Sequence, residues 1–330
     1  MTKNFIVDEN YNGKRLDLFL SEQIGQTRNQ TIQLIKKGFV QVDSKLITKN
    51  GLKLKLNQKI DLDLPDIVEP EPLSDIDFLN DEKFNIQIVY EDDHILVINK
   101  PIDLIVHDAP SVDEPTLVDW LKHKGISLST ISGEERHGIV HRLDKGTSGA
   151  MVIAKTNDAH VKLSNQLQDK SMGRYYLAII DMPLKDHTIV DQPIGRSVNN
   201  RIKMAVRADG KESKTAFAKV AQSDDGKSEL ILAKLFTGRT HQIRAHLNFI
   251  NRHILGDTLY DFKGKLDNIN RIYLHAYHLY LIHPVSNEKM IFKAKLSDNY
   301  KKFYNTNFTQ GEDLEKIDQC YIDNIFSFTN

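Results

Sequence analysis

One acidic residue of this 330-residue chain sits where a reacting carboxylate would. Asp144 lies in ERHGIVHRLDKGTSGAMVIAKT, residues 135–156, between Arg142 and Lys145 in a glycine-containing turn that feeds an apolar strand. A single carboxylate wedged between two cations is expected to carry its negative charge at neutral pH. Turns placed by a rigid sheet are also where catalytic groups concentrate. The plainer reading is a turn in which Asp144 merely caps while Thr147 and Ser148 bond nearby backbone. A second cluster, LFTGRTHQIRAHLNFINRHILGD at 235–257, gathers Arg239, His241, Gln242, Arg244 and His246 on a turn entering an apolar stretch. Forked guanidinium donors suit phosphate and ribose oxygens, whereas the plainer reading is a polar patch tying a helix to the sheet. In SMGRYYLAII, residues 171–180, Tyr175 and Tyr176 alternate on a strand and so face opposite sides. One ring can line a cleft while the other is core, and the sequence does not choose between them.

Other chemistries fit less well. His137, His141, His241, His246, His275, His278 and His283 raise the question of a metal-dependent hydrolase. Histidines four apart share one zinc only on a helix, however, and HGIVH reads as strand or turn with no Glu to act as base. A glycoside hydrolase normally needs two carboxylates roughly 5–9.5 Å apart, and only one is embedded in a catalytic-looking turn. There is no GxGxxG fingerprint and no P-loop. The lone Cys320 rules out an intramolecular disulfide and a thiolate cage. Neither a metal nor an organic cofactor is expected.

The elements that must carry these clusters can be read from periodicity. Residues 15–24 place Leu16, Phe19 and Leu20 on one helical stripe closed by Gly25, and residues 29–37 repeat the pattern up to Gly38. FVQVDSKLI alternates around Asp43-Ser44 as a hairpin does. Residues 65–83 hold Pro65, Pro70 and Pro72 among acids and read as a linker. From Phe84, strands predicted in IQIVYEDDHILVINK, GAMVIAK, RYYLAII, TAFAKVAQ, SELILAKLF and AYHLYLIHP outnumber helices predicted in TLVDWLKHKG and AHVKLSNQLQDK. Short turns join most neighbours, so the expected class is α+β with a mainly antiparallel sheet and flanking helices. The expected division is a small N-terminal α/β domain over 1–64, the linker, a larger domain over 84–302, and a polar, loosely ordered tail over 303–330.

Two resemblances sharpen this. GKRLDLFL, TRNQTIQLIKKGFVQVDSK and KLNQKIDLDLP resemble the small RNA-binding domain of ribosomal protein S-four, with Asn29 and Asp43-Ser44 as departures. HGIVHRLDKGTSG, RYYLA and TGRTHQIRAHL, with ILGD and Tyr260 following, resemble the RluA/RluD-like family of RNA pseudouridine synthases. INKPIDLIVH, RIKMAVRADGKESKT and LHAYHLYLIHP support the match in family order, while Arg174, Gly146 and Ala150 depart from it. The resemblance implies the pseudouridine synthase fold and an isomerase that turns uridines of RNA, most naturally large-subunit ribosomal RNA, into pseudouridine. It implies Asp144 as the nucleophile or base that opens the glycosidic bond and Arg244 as its ionic partner. Tyr176 would stack on the target uracil and help remove its proton, and Arg142 would fill the gap left by the flipped nucleotide. Lys14, Arg15, Arg28, Lys36, Lys37, Lys145, Arg239 and His241 become candidate RNA contacts.

Charge distribution agrees with an RNA partner. The whole chain is nearly neutral, at −1, yet residues 1–64 hold eleven Lys/Arg against seven Asp/Glu, an asymmetry that can hide a basic module in a neutral total or be ordinary surface charge. No stretch approaches the roughly 20 apolar residues of a membrane helix, and MTKNFIVDENYNGKR has no signal-peptide core. The expectation is a cytoplasmic monomer acting on ribosomal RNA, free or within a pre-ribosomal particle. The competing class is a non-catalytic RNA-binding or ribosome-assembly protein on the same fold. Binding should weaken steeply with salt in either case.

Overall fold

The computed structural model describes residues 2–25, 28–63, 81–107, 114–131, 137–264 and 269–329. Strand β1 (Thr2–Ile6), helices α1 (Leu16–Ile24) and α2 (Arg28–Lys36), hairpin β2 (Val40–Val42)–β3 (Lys45–Leu46) and β4 (Lys59–Asp63) form the first unit. Its antiparallel sheet runs β1-β4-β2-β3. The α1 stripe Leu16, Phe19 and Leu20 packs with Ile35, Val40, Ile60 and Leu62 in a core of its own. Gly25, at φ 65°, closes α1 in the left-handed region that glycine enters at little cost. The hairpin turns on Asp43 and Ser44 at φ 49° and 62°, the double-positive geometry of a type I′ turn. The Asp43 carboxylate pays for that conformation by accepting from Lys59 N–H (3.0 Å) and Gln58 (2.8 Å). The acidic linker expected over 65–83 falls, except for its last three residues, outside the described residues.

The second unit is built on β5 (Gln87–Glu91), β6 (Ile95–Lys100), α3 (Leu117–His123), β7 (Ser148–Ala154), α4 (Asn157–Asp169), β8 (Gly173–Asp181), β9 (Thr188–Asp191), β10 (Ile194–Arg196), β11 (Met204–Val206), β12 (Lys214–Gln222), β13 (Ser228–Leu235), α5 (Gln242–Phe249), β14 (Leu274–Ile282), β15 (Lys289–Lys293), α6 (Asp298–Asn307) and α7 (Gln319–Ile325). The nine-stranded sheet runs β5-β6-β7-β14-β8-β13-β12-β9, with β15 also on β14. Among the described residues only the β7–β14 pair is parallel, which makes this the expected α+β, mainly antiparallel mixed sheet. Every residue of β7 is buried, because both faces are covered. Met151 and Ile153 join one core, while Ala150, Val152 and Ala154 join another beneath Ala159 and Leu163 of α4. Among the described residues, no helix is long and apolar enough to cross a membrane.

The tail departs from expectation. Residues beyond 302 are packed, not loose: Tyr304, Phe308, Leu314, Ile317, Ile322 and Phe326 are buried in the main core. Helix α6 buries Tyr300 and Tyr304 among polar neighbours and the later turns bury one apolar side chain each, so no strong apolar period shows in the sequence. What does show is capping: Ser297, Asp313 and Asp318 each accept a backbone N–H at the head of a turn, as preferred N-cap residues do. The larger unit therefore runs on to Thr329.

Candidate active site

Asp144 sits in the turn just before β7. Thr147 N–H closes that turn on the Asp144 carbonyl at 3.0 Å. The turn is fastened from below by the loop after β6, where Asp103 N–H donates to the Lys145 carbonyl at 2.9 Å. Lys100, with no exposed surface, donates to the carbonyls of Pro101 and Leu104 (2.8 Å each) and to that of Lys145 (3.3 Å). Burial pulls the pKa of its amine down to about 7, against the upward pull of Asp144. Gly149, at φ 120°, lies so close to the Ala276 backbone that a Cβ there would collide with it. That close approach lets β7 begin its parallel pairing with β14 directly after the turn.

The side chains flanking Asp144 in the chain do not pair with it. Lys145 forms an ion pair with Glu114, and Arg142 is exposed along the same cleft that Asp144 lines. The cation that meets Asp144 is Arg244, from α5: its Nη1 lies 3.3 Å from Asp144 Oδ2. The rest of that guanidinium is held by Asp257, through Nε–Oδ2 at 2.6 Å and Nη2–Oδ1 at 2.8 Å. The Tyr260 ring lies 4.7 Å from the guanidinium carbon. His241 heads α5 at φ 54°, a backbone state uncommon outside glycine that tends to mark functional sites. Its Nε2 is 3.8 Å from Asp144 Oδ2. Burial lowers the His241 pKa against the pull of Asp144, so the imidazole is neutral at neutral pH and the contact is not an ion pair.

The two readings of the second cluster divide by residue. Gln242 and His246 do the tying: Gln242 donates to Thr215 Oγ1 (2.9 Å) and the Lys214 carbonyl (3.0 Å), and His246 bonds Thr215 Oγ1 (2.9 Å) and the Gln192 carbonyl (3.0 Å). Arg239 is exposed and reaches the Glu212 carbonyl at 3.0 Å. With Arg244 and His241 it lines a cleft of about 430 Å³ that also receives Asp144, Arg142 and Tyr176. Burial, aided by Asp144 and opposed by Arg174, raises the Tyr176 pKa, so its hydroxyl stays protonated. Tyr175 turns away from the cleft and packs against Tyr280 and Phe326 at 5.7 and 5.6 Å.

Lys14, Arg15, Arg28, Lys36 and Lys37 belong to the first unit and do not line the cleft. Arg15 and Arg28 converge there on buried Asp17 at 2.9 and 2.8 Å. His275 and His278 share β14 and His241 and His246 share α5 and its cap, yet among the described residues no three His, Cys, Asp or Glu are grouped to hold a metal. Residue type and spacing alone give no role to Asp257, Tyr260 or Lys100, although each stands in a segment that carries the family resemblance.

Residues 94–249 match the family model described as RNA pseudouridylate synthase. A Helicobacter pylori (strain J99) protein named as an uncharacterized RNA pseudouridine synthase is 46% identical over 334 residues, spanning 98% of this chain and 99% of its own. This chain belongs to the RNA pseudouridine synthases. Its likeness to the ribosomal large subunit pseudouridine synthase D of Zymomonas mobilis, 36% identical over 92% of this chain and 96% of that one, places it in the RluA/RluD-like group. Human RNA pseudouridylate synthase domain containing 1 shares the fold, with a TM-score of 0.52 and 22% identity over 67% of this chain and 94% of its own. The synthase is thus an isomerase that modifies RNA. Its matched segment holds Asp144, Tyr176 and Arg244, while Asp257 and Tyr260 lie just beyond it.

Proposed function

We propose that this synthase isomerises specific uridines of large-subunit ribosomal RNA, with Asp144 opening the glycosidic bond, Arg244 orienting it and Tyr176 holding the extruded uracil. The observation that carries this reading is that Asp144 is the only carboxylate among the described residues lining the cleft, and that it shares the cleft with Arg244 and Tyr176. The target atoms of a stacked uridine are out of reach, so the nucleotide must flip out at a cost of a few kcal/mol. Stacking on an aromatic ring recovers about 1–3 kcal/mol, and exposed Arg142 can take the vacated place. In the reaction the C1′–N1 bond breaks, the uracil turns, a C1′–C5 bond forms, the C5 proton leaves and N1 gains one. Atoms balance without hydrolysis or redox change. Asp144 can serve by attacking C1′ or by taking the C2′ proton, and only the second route gives a primary isotope effect with 2′-deuterated uridine. Tyr176, kept protonated, can assist departure of the C5 proton as a relay.

The large-subunit target is supported by the name of the Zymomonas relative and by the basic first unit. The same reading gives a cytoplasmic monomer that works on ribosomal RNA or a pre-ribosomal particle. The deciding experiment is tritium release from large-subunit RNA labelled at uridine C5, with EDTA present. Wild type should release tritium, and Asp144→Asn should be slower by at least about 10³-fold. Equal release by both proteins would remove Asp144 from the chemistry. Loss of wild-type release on chelation would bring back a metal.

A further inference from the structure

Arg244 presents donors along two edges, and only Nη1 is turned to Asp144. The Nε–Nη2 edge is fully engaged by Asp257. That fork is buried, with 6% of the Arg244 side chain and 1% of Asp257 exposed. Arg244 and His241 also both approach the same oxygen of the reacting carboxylate, Oδ2. We infer that Asp257 is a positioning residue: it occupies the forked edge of Arg244 so that Asp144 receives one contact from the guanidinium instead of two. The inference rests on the roles proposed above for Asp144 and Arg244. A guanidinium released from Asp257 is free to turn its fork onto Asp144, and bidentate carboxylate pairing is the stronger arrangement. Both oxygens of Asp144 would then be bonded, and neither would react readily with the ribose.

Tyr260 completes the frame. Its ring lies against the guanidinium, and its hydroxyl bonds the Met204 N–H (2.8 Å) and His241 Nδ1 (3.0 Å). Asp257 and Tyr260 occupy one short turn, in which the Asp257 side chain also accepts the Tyr260 N–H. A single local structure therefore sets both the edge and the plane of Arg244.

The test uses the full chain, single-turnover tritium release at saturating enzyme, and RNA binding measured separately. Asp257→Asn keeps the shape but removes the charge, and should slow the saturated rate by about tenfold to a hundredfold with RNA affinity unchanged, as loss of an orienting partner does. Asp257→Glu, which can still fork, should recover a large part of that rate. A purely structural role would not give this split or this rescue. A saturated rate for Asp257→Asn equal to wild type, or a loss confined to RNA affinity, overturns the inference. Should Asp257→Asn fail to fold, the Tyr260 pair decides. Tyr260→Phe keeps the ring but gives up the bonds to Met204 and His241 and should fall by a few-fold, whereas Tyr260→Leu also frees the plane of Arg244 and should fall about tenfold below Tyr260→Phe. Equal effects in the two overturn it. Activity retained by Asp144→Asn in the same assay marks failure of the underlying reading instead.

Discussion

Tyr176 has one ring and two proposed tasks, and its surroundings separate them. The ring supplies a stacking face in the cleft, while burial and the nearby Asp144 keep its hydroxyl protonated. Replacing it with Phe keeps the face and deletes the hydroxyl. Tyr176→Phe should therefore bind RNA normally yet release tritium about 10²-fold more slowly, the lower range for a positioned proton-transfer group. Tyr176→Leu should in addition weaken binding by about 1–3 kcal/mol. An unimpaired Tyr176→Phe would reduce the residue to a stacking platform. At this scale the sequence pointed to the carboxylate that lines the cleft and misled about what surrounds it. Arg142 and Lys145 neighbour Asp144 in the chain, but Lys145 pairs with Glu114 and Arg142 stays exposed. The cation that reaches Asp144 comes from Arg244, a hundred positions on, and only the family resemblance pointed there. Nothing local in ILGD said that Asp257 would fork onto Arg244, because that pairing exists only once α5 and the turn after it are folded together.

At the scale of elements, most strands and helices were legible because burial on a regular face leaves a period in the chain. The α1 stripe became core, and the apolar run of β7 is buried on both faces. The tail escaped because α6 buries tyrosines among polar neighbours and the later turns bury one apolar side chain each, although Ser297, Asp313 and Asp318 marked their starts. Tertiary fastening was equally invisible. Asp92, in the turn between β5 and β6, accepts from His94 N–H and Ile95 N–H at 2.8 Å each, from the Tyr90 hydroxyl at 2.9 Å and from His283 at 2.8 Å. Burial alone would raise its pKa, but those four bonds outweigh it and bring the value down to about 2. A carboxylate depressed in the folded state stabilises the protein above its unfolded pKa of about 3.9, and that contribution fades as pH falls towards the folded value. Between about pH 5 and about pH 2 the wild type should thus lose about 2–3 kcal/mol relative to Asp92→Asn, read from urea unfolding at a series of pH values. A stability gap that stays constant across that range would count against the turn.

For the whole molecule, a net charge of −1 conceals where RNA affinity should reside. The basic first unit supplies candidates, but its cations are not equivalent. Arg15 and Arg28 are committed to Asp17, whose side chain has no exposed surface, and those bonds lower the Asp17 pKa against the opposing effect of burial. Removing either arginine would leave a buried charge poorly paired, so a loss of binding in such a variant would be mixed with a loss of stability. Lys14, Lys36 and Lys37 are exposed, and substituting them probes the RNA surface without touching that pair. Each phosphate neutralised by a protein cation contributes about 0.7 to the slope of log affinity against log salt for single-stranded RNA. In the full chain, Lys14→Gln, Lys36→Gln and Lys37→Gln together should lower that slope by about 2 while leaving the saturated rate of the bound complex unchanged. An unchanged slope would move phosphate recognition to the exposed cations of the cleft, Arg142, Lys170 and Arg239. A reduced slope accompanied by a slower bound complex would mean that the first unit also helps to present the uridine to Asp144.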